Sequence, residues 1–508
     1  MNPIFRNWYR KCKSRIERRL DQKQTKTKPG PVFTAGNIHY DVSDRIHAIA
    51  HGGIGAIHAL VERIGLAKSI DEHLHVLKLH LPYHESDHVL NIAYNALCDG
   101  TCLQDIERRR NDATFLDALD VCRIPDPTTA GDFCRRFGSE HLDALIDAFN
   151  RTRLRVWKQQ PDCFFECATL DMDGSLVETT GQCKQGMDIS YQGTWGYHPL
   201  ILSLAETGEV LSIVNRPGNR PSHEGAGREV DRALLLFAQA GFRKILLRGD
   251  TDFSQTQRLD GWNANPSIRF IFGYDSMPNL QKIAEELPES AWSTLVRPVG
   301  DPPKTEPRQR PDNVKEEIVR RRQFENLRLR SEEIAEFDYR PSACEQTYRM
   351  VVIRKNITKS KGELALFDDV RYFFYITNQR DWSAQQIVFS ANDRCNQENL
   401  LAQLHGGCRA LSAPSDTLES NGAYMLMVSL AWNLKAWFGL MLPETGRWAP
   451  MHREQKRQVL VMEFKGFLSA FIRIPCQIVK SGRRLVYRLL GWNPHLQIFF
   501  RLLSVLNC

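Results

Sequence analysis

The sequence lacks the local motifs of several large enzyme classes. It contains no Gly-x-x-x-x-Gly-Lys-Ser/Thr loop, which argues against a P-loop nucleotide hydrolase, and no clear dinucleotide-binding fingerprint. It also has no Gly-x-Ser-x-Gly elbow, so a serine hydrolase of the α/β type is not expected. Any chemistry in this chain must therefore come from side chains that are distant in sequence.

Paired cysteines and long apolar runs are missing as well. The 13 cysteines are scattered without a Cys-x-x-Cys pair, which disfavours a zinc site and predicts reduced thiols. The most apolar C-terminal stretch, 467–479, is broken by Arg473 and Pro475 and is too short to span a bilayer. Because no apolar segment follows the basic N-terminus, we expect a cytoplasmic protein without a membrane partner.

Composition permits several functions and selects none. The 508 residues exceed one ordinary core, so several domains or one elaborated domain are expected. Hydrophobic residues make up 42% and charged residues 25%, which is typical of a soluble globular protein. The net charge of +7 allows a polyanionic partner without requiring one.

Basic residues are concentrated at the N-terminus, and we predict a basic arm over residues 1–43. Its arginines include Arg15, Arg18 and Arg19, and a Lys-Pro-Gly-Pro stretch at 28–31 interrupts any helix. The arm has two interpretations, a solvated terminus or a segment that contacts nucleic acid.

Residues 44–153 show helical periodicity and are predicted to form a helical DNA-binding domain. Asp126 or Thr128 is expected to cap a short basic helix that carries Arg136. Such a helix can belong to a helix-turn-helix DNA reader, or it can be no more than a helix start.

A strand-rich unit over 154–279 follows the helices. Three strands, a helix and a fourth strand predict the first part of an RNase H-like core, in which the first and fourth strands lie side by side. The expected strands are 167–172, 197–205, 209–215, 243–249 and 267–273, and the expected helices are 224–240 and 254–262.

The remaining chain is predicted to interrupt this core, complete it and end in a tail. Residues 280–378 are dense in charge and proline before strands at 347–354, 362–367 and 370–376, which favours an inserted, partly β subdomain. Residues 379–450 are expected to supply the second part of the core. Residues 451–508 are expected to form a basic helical tail, with segments near 464–471 and 482–490. The predicted fold class is α/β, an RNase H-like mixed sheet flanked by helices and interrupted by this insertion, with a helical N-terminal domain.

Three carboxylates lie where a metal-dependent nuclease would need them. Asp173 and Asp250 each follow an apolar strand, and Glu398 lies at the start of a predicted helix. Two acids at strand ends and one on a helix can converge on Mg²⁺ or Mn²⁺, which prefer oxygen ligands. Two such ions can support phosphodiester cleavage. We therefore predict these three residues as catalytic and metal-binding.

Each of the strand acids has a close competitor. Asp171 and Asp252 stand two residues from Asp173 and Asp250, and residues two apart on a strand share a face. We favour Asp173 and Asp250 because each directly abuts a strand end and a glycine.

Further side chains are candidates for contacts with DNA. Arg394 precedes Glu398 by one helical turn and is placed to hold a phosphate. His405, two turns beyond Glu398, is a candidate phosphate ligand or proton relay, or an ordinary surface histidine. The segment 195–198 contains aromatic residues that could stack a base, although core packing is the expected role of Tyr197.

At these residues the chain resembles a bacterial insertion-sequence transposase of the DDE type. More closely, it resembles the insertion-sequence family numbered 1380, within the larger group whose third acid lies in a Tyr-Arg-Glu-Lys signature. The matching pieces are Leu170-Asp171-Met172-Asp173-Gly174-Ser175-Leu176-Val177, Gly196-Tyr197-His198-Pro199-Leu200, Arg216-Pro217-Gly218-Asn219, Leu247-Arg248-Gly249-Asp250-Thr251-Asp252-Phe253 and Arg394-x-x-x-Glu398-Asn399.

The resemblance implies a function and the roles of particular residues. Asp173, Asp250 and Glu398 would be the catalytic acids, and Arg394 would be the signature arginine. Such transposases bind terminal inverted repeats with their N-terminal region, cut the ends of the element and join them to target DNA, here expected as a homodimer. The sequence departs from the signature at Ala391, where a tyrosine is usual, and at His405, where a lysine is usual.

Two other functions remain open at this stage. One is a metal-dependent nuclease that cuts DNA without joining it. The other is a catalytically inactive DNA-binding protein, whether a regulator with structural acids or a decayed copy that has lost the signature residues.

Overall fold

The computed structural model describes residues 7, 10–15, 17–18, 38–40, 46–80, 82–297, 314–361, 364–481 and 484–506. Of the predicted basic arm, Arg19 and the stretch 28–31 lie outside the described residues. The described part is a mixed α/β structure in which helices flank one large mixed sheet.

Helices dominate the described chain before the sheet begins. Asp126, one of the two caps that the sequence leaves open, caps one of them, because its carboxylate accepts the Thr129 N–H at 2.9 Å. These helices are α1 (Ile54–Ile64), α2 (Leu66–His73), α3 (Glu85–Leu97), α4 (Ile106–Arg110), α5 (Ala113–Ala118), α6 (Pro127–Arg135) and α7 (Ser139–Trp157).

Five strands form the part of the sheet that the sequence predicts first. They are β2 (Cys167–Gly174), β6 (Leu200–Leu204), β7 (Glu209–Val214), β8 (Lys244–Gly249) and β9 (Ile268–Tyr274), and β1 (Ala48–Ile49) precedes them in another sheet. Their order across the sheet is β9-β8-β2-β6-β7. β2 runs parallel to β8 and β8 parallel to β9, whereas β6 and β7 form an antiparallel hairpin beside β2. Gly208, with φ +68°, makes the turn of that hairpin because this backbone region favours glycine.

Two helices join the consecutive strands, and short strands precede the hairpin. Helix α8 (Ala226–Ala240) connects β7 to β8, and α9 (Thr256–Ala264) connects β8 to β9. The strands β3 (Val177–Glu178), β4 (Asp188–Ile189) and β5 (Trp195–Tyr197) form a separate small sheet. The predicted single strand 197–205 is thus two strands, since Pro199 has no N–H to donate between them.

The segment predicted as an insertion extends the same sheet. After α10 (Pro278–Glu286), β10 (Ser293–Thr294) and α11 (Val314–Arg321), the chain forms β11 (Glu325–Tyr339), β12 (Tyr348–Lys361) and β13 (Leu364–Thr377). β13 pairs antiparallel with β9, so the described sheet has nine strands. The strands predicted at 362–367 and 370–376 form the single strand β13. Strand β11 was not predicted, because its many charged residues are typical of a solvated segment.

The C-terminal part begins as predicted with helices. These are α12 (Ala384–Asn392), α13 (Cys395–Ala402), α14 (Leu418–Leu440), α15 (Ala449–Val461), α16 (Phe464–Phe467) and α17 (Leu496–Leu506). Nearly every side chain of α14 is buried, which is how a helix that is apolar all round is stabilised. Within the described residues, we find no helix whose length and apolar character would let it cross a membrane.

The tail prediction was wrong over the second of its two helical segments. Arg484–Leu489 is a strand, β15, paired antiparallel with β14 (Cys476–Ser481), and β1 joins β14 from the other side. The first four residues of β14 alternate between buried and partly buried positions, a period of two that suits a sheet rather than a helix.

A buried ion pair joins three of these elements. Glu209 on β7 and Arg153 on α7 are both fully buried, with Nε and Oε1 3.0 Å apart. The indole N–H groups of Trp157 and Trp437 donate to the same carboxylate at 2.9 and 2.7 Å, and the Thr207 hydroxyl donates at 2.8 Å. The carboxylate is therefore fully satisfied, as a charge in the protein interior must be.

Replacing Glu209 with Gln should lower the free energy of unfolding by about 3–5 kcal/mol, because Arg153 would remain buried without a counter-charge. Urea unfolding of the full chain measures this change. As a control, Glu72→Gln removes a half-exposed partner of Lys68, with N and O 3.6 Å apart. That change should cost less than about 1 kcal/mol. Equal losses in the two variants would contradict the prediction.

Candidate active site

The pairing of β2 with β8 brings two of the predicted acids together. In this parallel pair Asp171 lies opposite Arg248, an offset of 77 residues. The same offset places Asp173 opposite Asp250, at the carboxyl edge of the sheet. The charge of Asp250 raises the pKa of Asp173, which agrees with this close placement.

Asp173 is held in a mostly buried setting. Its side chain is 14% exposed and its Oδ2 accepts a hydrogen bond from Arg394 Nη1 at 3.0 Å. Its Oδ1 accepts the Gly174 N–H at 2.8 Å. Burial raises the pKa of Asp173 to about 6, against the lowering effect of Arg394. Burial also raises the pKa of Asp250, whose carboxylate accepts the Asp252 N–H at 3.1 Å.

Asp171, the competitor of Asp173, has a different partner. Its side chain is 1% exposed and binds Arg248 through two hydrogen bonds, at 2.7 and 2.8 Å. Arg248 also donates to the Ser390 carbonyl at 2.9 Å, which attaches α12 to the sheet. Asp171 is thus engaged in a structural ion pair, whereas Asp252, the other competitor, is exposed.

Glu398 lies beside the pair but does not join it. It is exposed on the first turn of α13 and lines a cavity of about 400 Å³ together with Asp250 and Arg394. Among the described residues, no group of three or more His, Cys, Asp or Glu side chains is arranged to hold a metal ion. The expected convergence of three acids is therefore absent from this conformation, and Arg394 takes the place nearest Asp173.

His405 contacts the loop that follows the first acid. It lies in a π-helical turn, Gln403–Gly407, and its Nε2 is 2.8 Å from the hydroxyl of Ser175. Burial lowers the pKa of His405. Because Ser175 is two residues after Asp173, the predicted phosphate ligand or proton relay is close to the acid pair.

The aromatic segment before β6 divides into a core residue and an exposed one. Tyr197 is fully buried, as expected, and Trp195 is 52% exposed. His198 packs against Gly174, where an added Cβ would lie 2.6 Å from the imidazole ring. The glycine at the end of β2 leaves room for this close approach of the imidazole.

The sequence reasoning missed two features of the site. Asp275 follows β9 directly, lines the same cavity and raises the pKa of Asp250. It repeats the pattern of an apolar strand that ends in an acid, so this signal was available in the sequence. The other feature is an aromatic wall formed by Tyr372–Tyr375 of β13, and only the pairing of β13 with β9 brings it to the cavity.

The remaining predicted DNA contacts lie in the first part of the chain. Arg15 and Arg18 are exposed within a helical stretch, and Arg18 Nε donates to the Ser14 carbonyl at 3.2 Å. Arg19 lies outside the described residues. Arg136 is exposed directly after α6.

The fold and the cavity together define an α/β protein with an acidic site at the carboxyl edge of a mixed sheet. More specifically, the chain belongs to the family described as "Transposase DDE domain group 1", whose model matches residues 46–507. The expectation of a DDE transposase is thereby confirmed at the level of the family.

One solved structure similar to this chain is the "Cryo-EM structure of piggyBac transposase synaptic complex with hairpin DNA (SNHP)". The sequence identity is 10% and the TM-score 0.35, over 82% of this chain and 81% of that chain. No curated protein matches the chain.

The donor atoms of the site suit a hard divalent cation only in part. Asp173 and Asp250 offer carboxylate oxygens from adjacent strands, which Mg²⁺ and Mn²⁺ prefer. Glu398 would complete an all-oxygen set only after a change in its position relative to the pair. The acid pair therefore fits such an ion, and the three acids together do not fit it in this arrangement.

Asp173→Asn should stabilise the protein above neutral pH. Because the pKa of folded Asp173 is about 6, above its ordinary 3.8, the folded state binds this proton more tightly than the unfolded state. That contribution to stability is complete below about pH 4 and is lost as pH rises through 6. The variant should gain up to about 3 kcal/mol over the wild type at pH 7.5 and little at pH 4.

Urea unfolding at several pH values measures this gain. The exposed Asp338 provides a control, since Asp338→Asn should show no gain that grows with pH. A gain of the Asp173 variant that stayed constant from pH 4 to pH 7.5 would contradict the assignment.

Proposed function

We propose that the protein is a DDE transposase that binds the terminal inverted repeats of its own insertion sequence, cleaves the DNA ends and joins them to target DNA. Membership of the DDE family supports this proposal over almost the whole chain. The observation that carries it is the placement of Asp173 opposite Asp250 by the pairing of β2 with β8. Two adjacent carboxylates at a sheet edge offer oxygen ligands to the divalent ions that metal-assisted phosphodiester chemistry uses.

The proposed catalytic domain is RNase H-like. Its support is the order β7-β6-β2-β8-β9, with an antiparallel hairpin on one side of β2 and two parallel strands on the other. We assign residues 154–279 and 379–450 to the two parts of this core and 280–378 to the insertion. The insertion would extend the sheet and supply the aromatic wall of the cavity.

Mg²⁺ is the proposed cofactor, with Mn²⁺ as a substitute, and Asp173, Asp250 and Glu398 are its proposed ligands. When bound, such ions activate the attacking oxygen and stabilise the leaving oxygen of a phosphodiester. Arg394 and His405 lie beside the acids and would bind DNA phosphates, Arg394 through its planar guanidinium and His405 next to Ser175.

The proposed partners are DNA and a second copy of the chain. The basic arm 1–43 and the helical region 44–153 would bind the terminal repeats, with Arg15, Arg18, Arg19 and Arg136 at phosphates. The tail 451–508 contains the β14–β15 hairpin, whose strand β14 pairs with β1 of the helical region. A homodimer in the cytoplasm, bound to two ends of the element, completes the proposal.

A catalytically inactive DNA-binding protein is the second candidate, and two observations favour it. Ala391 lines the cavity at the position where the family that the sequence resembles has a tyrosine. In addition, the three acids do not converge among the described residues. A nuclease that cuts without joining differs only in the last step. A strand-transfer assay with a pre-cut DNA end separates this nuclease from a transposase.

Asp173→Asn and Asp250→Asn should each reduce Mg²⁺-dependent DNA cleavage by about a thousandfold or more, because each removes a charged oxygen ligand. Binding to the terminal repeat should change less than about threefold. Gel assays of cleavage and binding with the same labelled repeat measure both quantities.

Glu286, which is exposed on α10 and paired with Lys282, provides the matched control as Glu286→Gln. Cleavage by this control should equal that of the wild type. If the wild type binds the repeat but none of the proteins cleaves it, the inactive DNA-binding protein is the correct function.

Arg136→Ala should weaken binding to the terminal repeat at low salt. Without the phosphate interaction of this exposed arginine, binding releases about one counterion fewer, so the slope of log K against log salt should fall by about 0.9. Fluorescence anisotropy over a range of salt concentrations measures the slope. Lys282→Ala, at a lysine that is 75% exposed, is the control and should leave the slope unchanged. An unchanged slope for Arg136→Ala would remove this residue from the interface.

A further inference from the structure

The carboxylate of Asp173 has a hydrogen bond on each of its oxygens. Oδ1 accepts the Gly174 N–H at 2.8 Å, and Oδ2 accepts Arg394 Nη1 at 3.0 Å. Arg394 and Asp173 are 20% and 14% exposed, so water screens this ion pair only weakly. A divalent ion that used Oδ2 would have to displace the guanidinium.

Arg394 acts on both members of the acid pair. Its charge lowers the pKa of Asp173 and also that of Asp250, in each case against the effect of burial. Two carboxylates facing each other at the sheet edge repel one another, and this one guanidinium offsets the repulsion. In the present conformation Arg394 therefore supplies the positive charge that the pair needs.

The segment that carries Arg394 leaves hydrogen-bonding groups unused. Asn392 Nδ2 and Gln397 Nε2 are buried donors without a partner among the described residues. Buried donors are almost always satisfied by protein or water, and a second arrangement of the segment would give these two donors protein partners. Helix α13, which carries Gln397, is short. It begins after a break that separates it from α12, and it continues into the π-helical turn Gln403–Gly407. π-Helical turns are frequent at functional sites.

Glu398 is on the first turn of α13, and Arg394 is the N-cap residue directly before that helix. Gln397 holds α13 on the sheet by accepting a hydrogen bond from the Ser203 hydroxyl, and the next residue, Glu398, is exposed at the cavity. A guanidinium that left Asp173 would free an oxygen of the acid pair. The same change in the segment 392–398 could carry Glu398 towards that pair.

We propose that Arg394 is an internal cation that occupies the acid pair in the DNA-free protein, and that a DNA phosphate draws it away so that a divalent ion can bind. This inference rests on the proposed function. A guanidinium forms paired hydrogen bonds with a phosphate as it does with a carboxylate, so the exchange replaces one partner with another. By linkage, DNA and the metal ion must then strengthen each other's binding equally.

Binding of Mn²⁺, measured by electron paramagnetic resonance on the full chain, tests the proposal. Without DNA the wild type should bind Mn²⁺ weakly, and Arg394→Gln should bind it at least about tenfold more tightly. A short duplex of arbitrary sequence should raise the affinity of the wild type by a similar factor and that of Arg394→Gln much less. Asp173→Asn with the same duplex corrects for ions held by the DNA itself.

Two further variants separate charge from a general effect of substitution. Arg394→Lys keeps a cation beside Asp173 and should bind Mn²⁺ about as weakly as the wild type without DNA. Arg380 is an exposed arginine paired with Asp338 at 2.8 Å, and Arg380→Gln should also behave as the wild type does. The comparison of wild type with and without duplex remains decisive if Arg394→Gln does not fold.

The proposal is overturned if DNA-free wild type and Arg394→Gln bind Mn²⁺ equally tightly, or if the duplex leaves the affinity of the wild type unchanged. Either result would leave the proposed function standing, provided that the wild type cleaves the repeat and the Asp250→Asn variant does not. Loss of the proposed function has a separate signature, namely a wild type that does not cleave the repeat under any metal condition.

Discussion

The parallel pairing of β2 with β8 is the constraint on which the site depends. The register of this pair determines the neighbours of two acids on β2, Asp171 and Asp173. Asp171 meets Arg248 and forms a buried ion pair that also attaches α12, whereas Asp173 meets Asp250 at the sheet edge. A shift by one residue would move every one of these side chains to the opposite face of the sheet. The structural ion pair therefore secures the register that the acid pair requires.

The acid pair carries an energetic cost that the rest of the molecule offsets. Burial raises the pKa of Asp173 and Asp250, which means that their charged forms are disfavoured in the folded protein. Stability comes from elsewhere, chiefly from the apolar core around α14. This protein of the DDE family thus holds two partly buried carboxylates at the edge of a sheet whose interior is stabilised by apolar packing.

Much of the core could be predicted from apolar runs and turn residues. The strands at Cys167–Gly174 and Lys244–Gly249, the hairpin turn at Gly208 and the cap at Asp126 all follow from local patterns. The long strand Glu325–Tyr339 did not, because its charges are paired with residues from other strands and its local pattern resembles a solvated segment. The helical segment predicted near 482–490 in the tail was wrong for a related reason, since a short amphipathic strand and a basic helix have similar composition.

The sequence by itself determined which residue types stand at the ends of strands, and hence that Asp173 and Asp250 were candidates. The sequence favoured Asp173 over Asp171 because of its place at a strand end, and only the tertiary structure shows that these two acids have different neighbours. The neighbour of Asp171 is an arginine and that of Asp173 is another acid. The position of Arg394 on Asp173, with Glu398 at the cavity rim, was likewise a matter of helix placement. Such interactions join residues more than 200 positions apart, which no local pattern can specify.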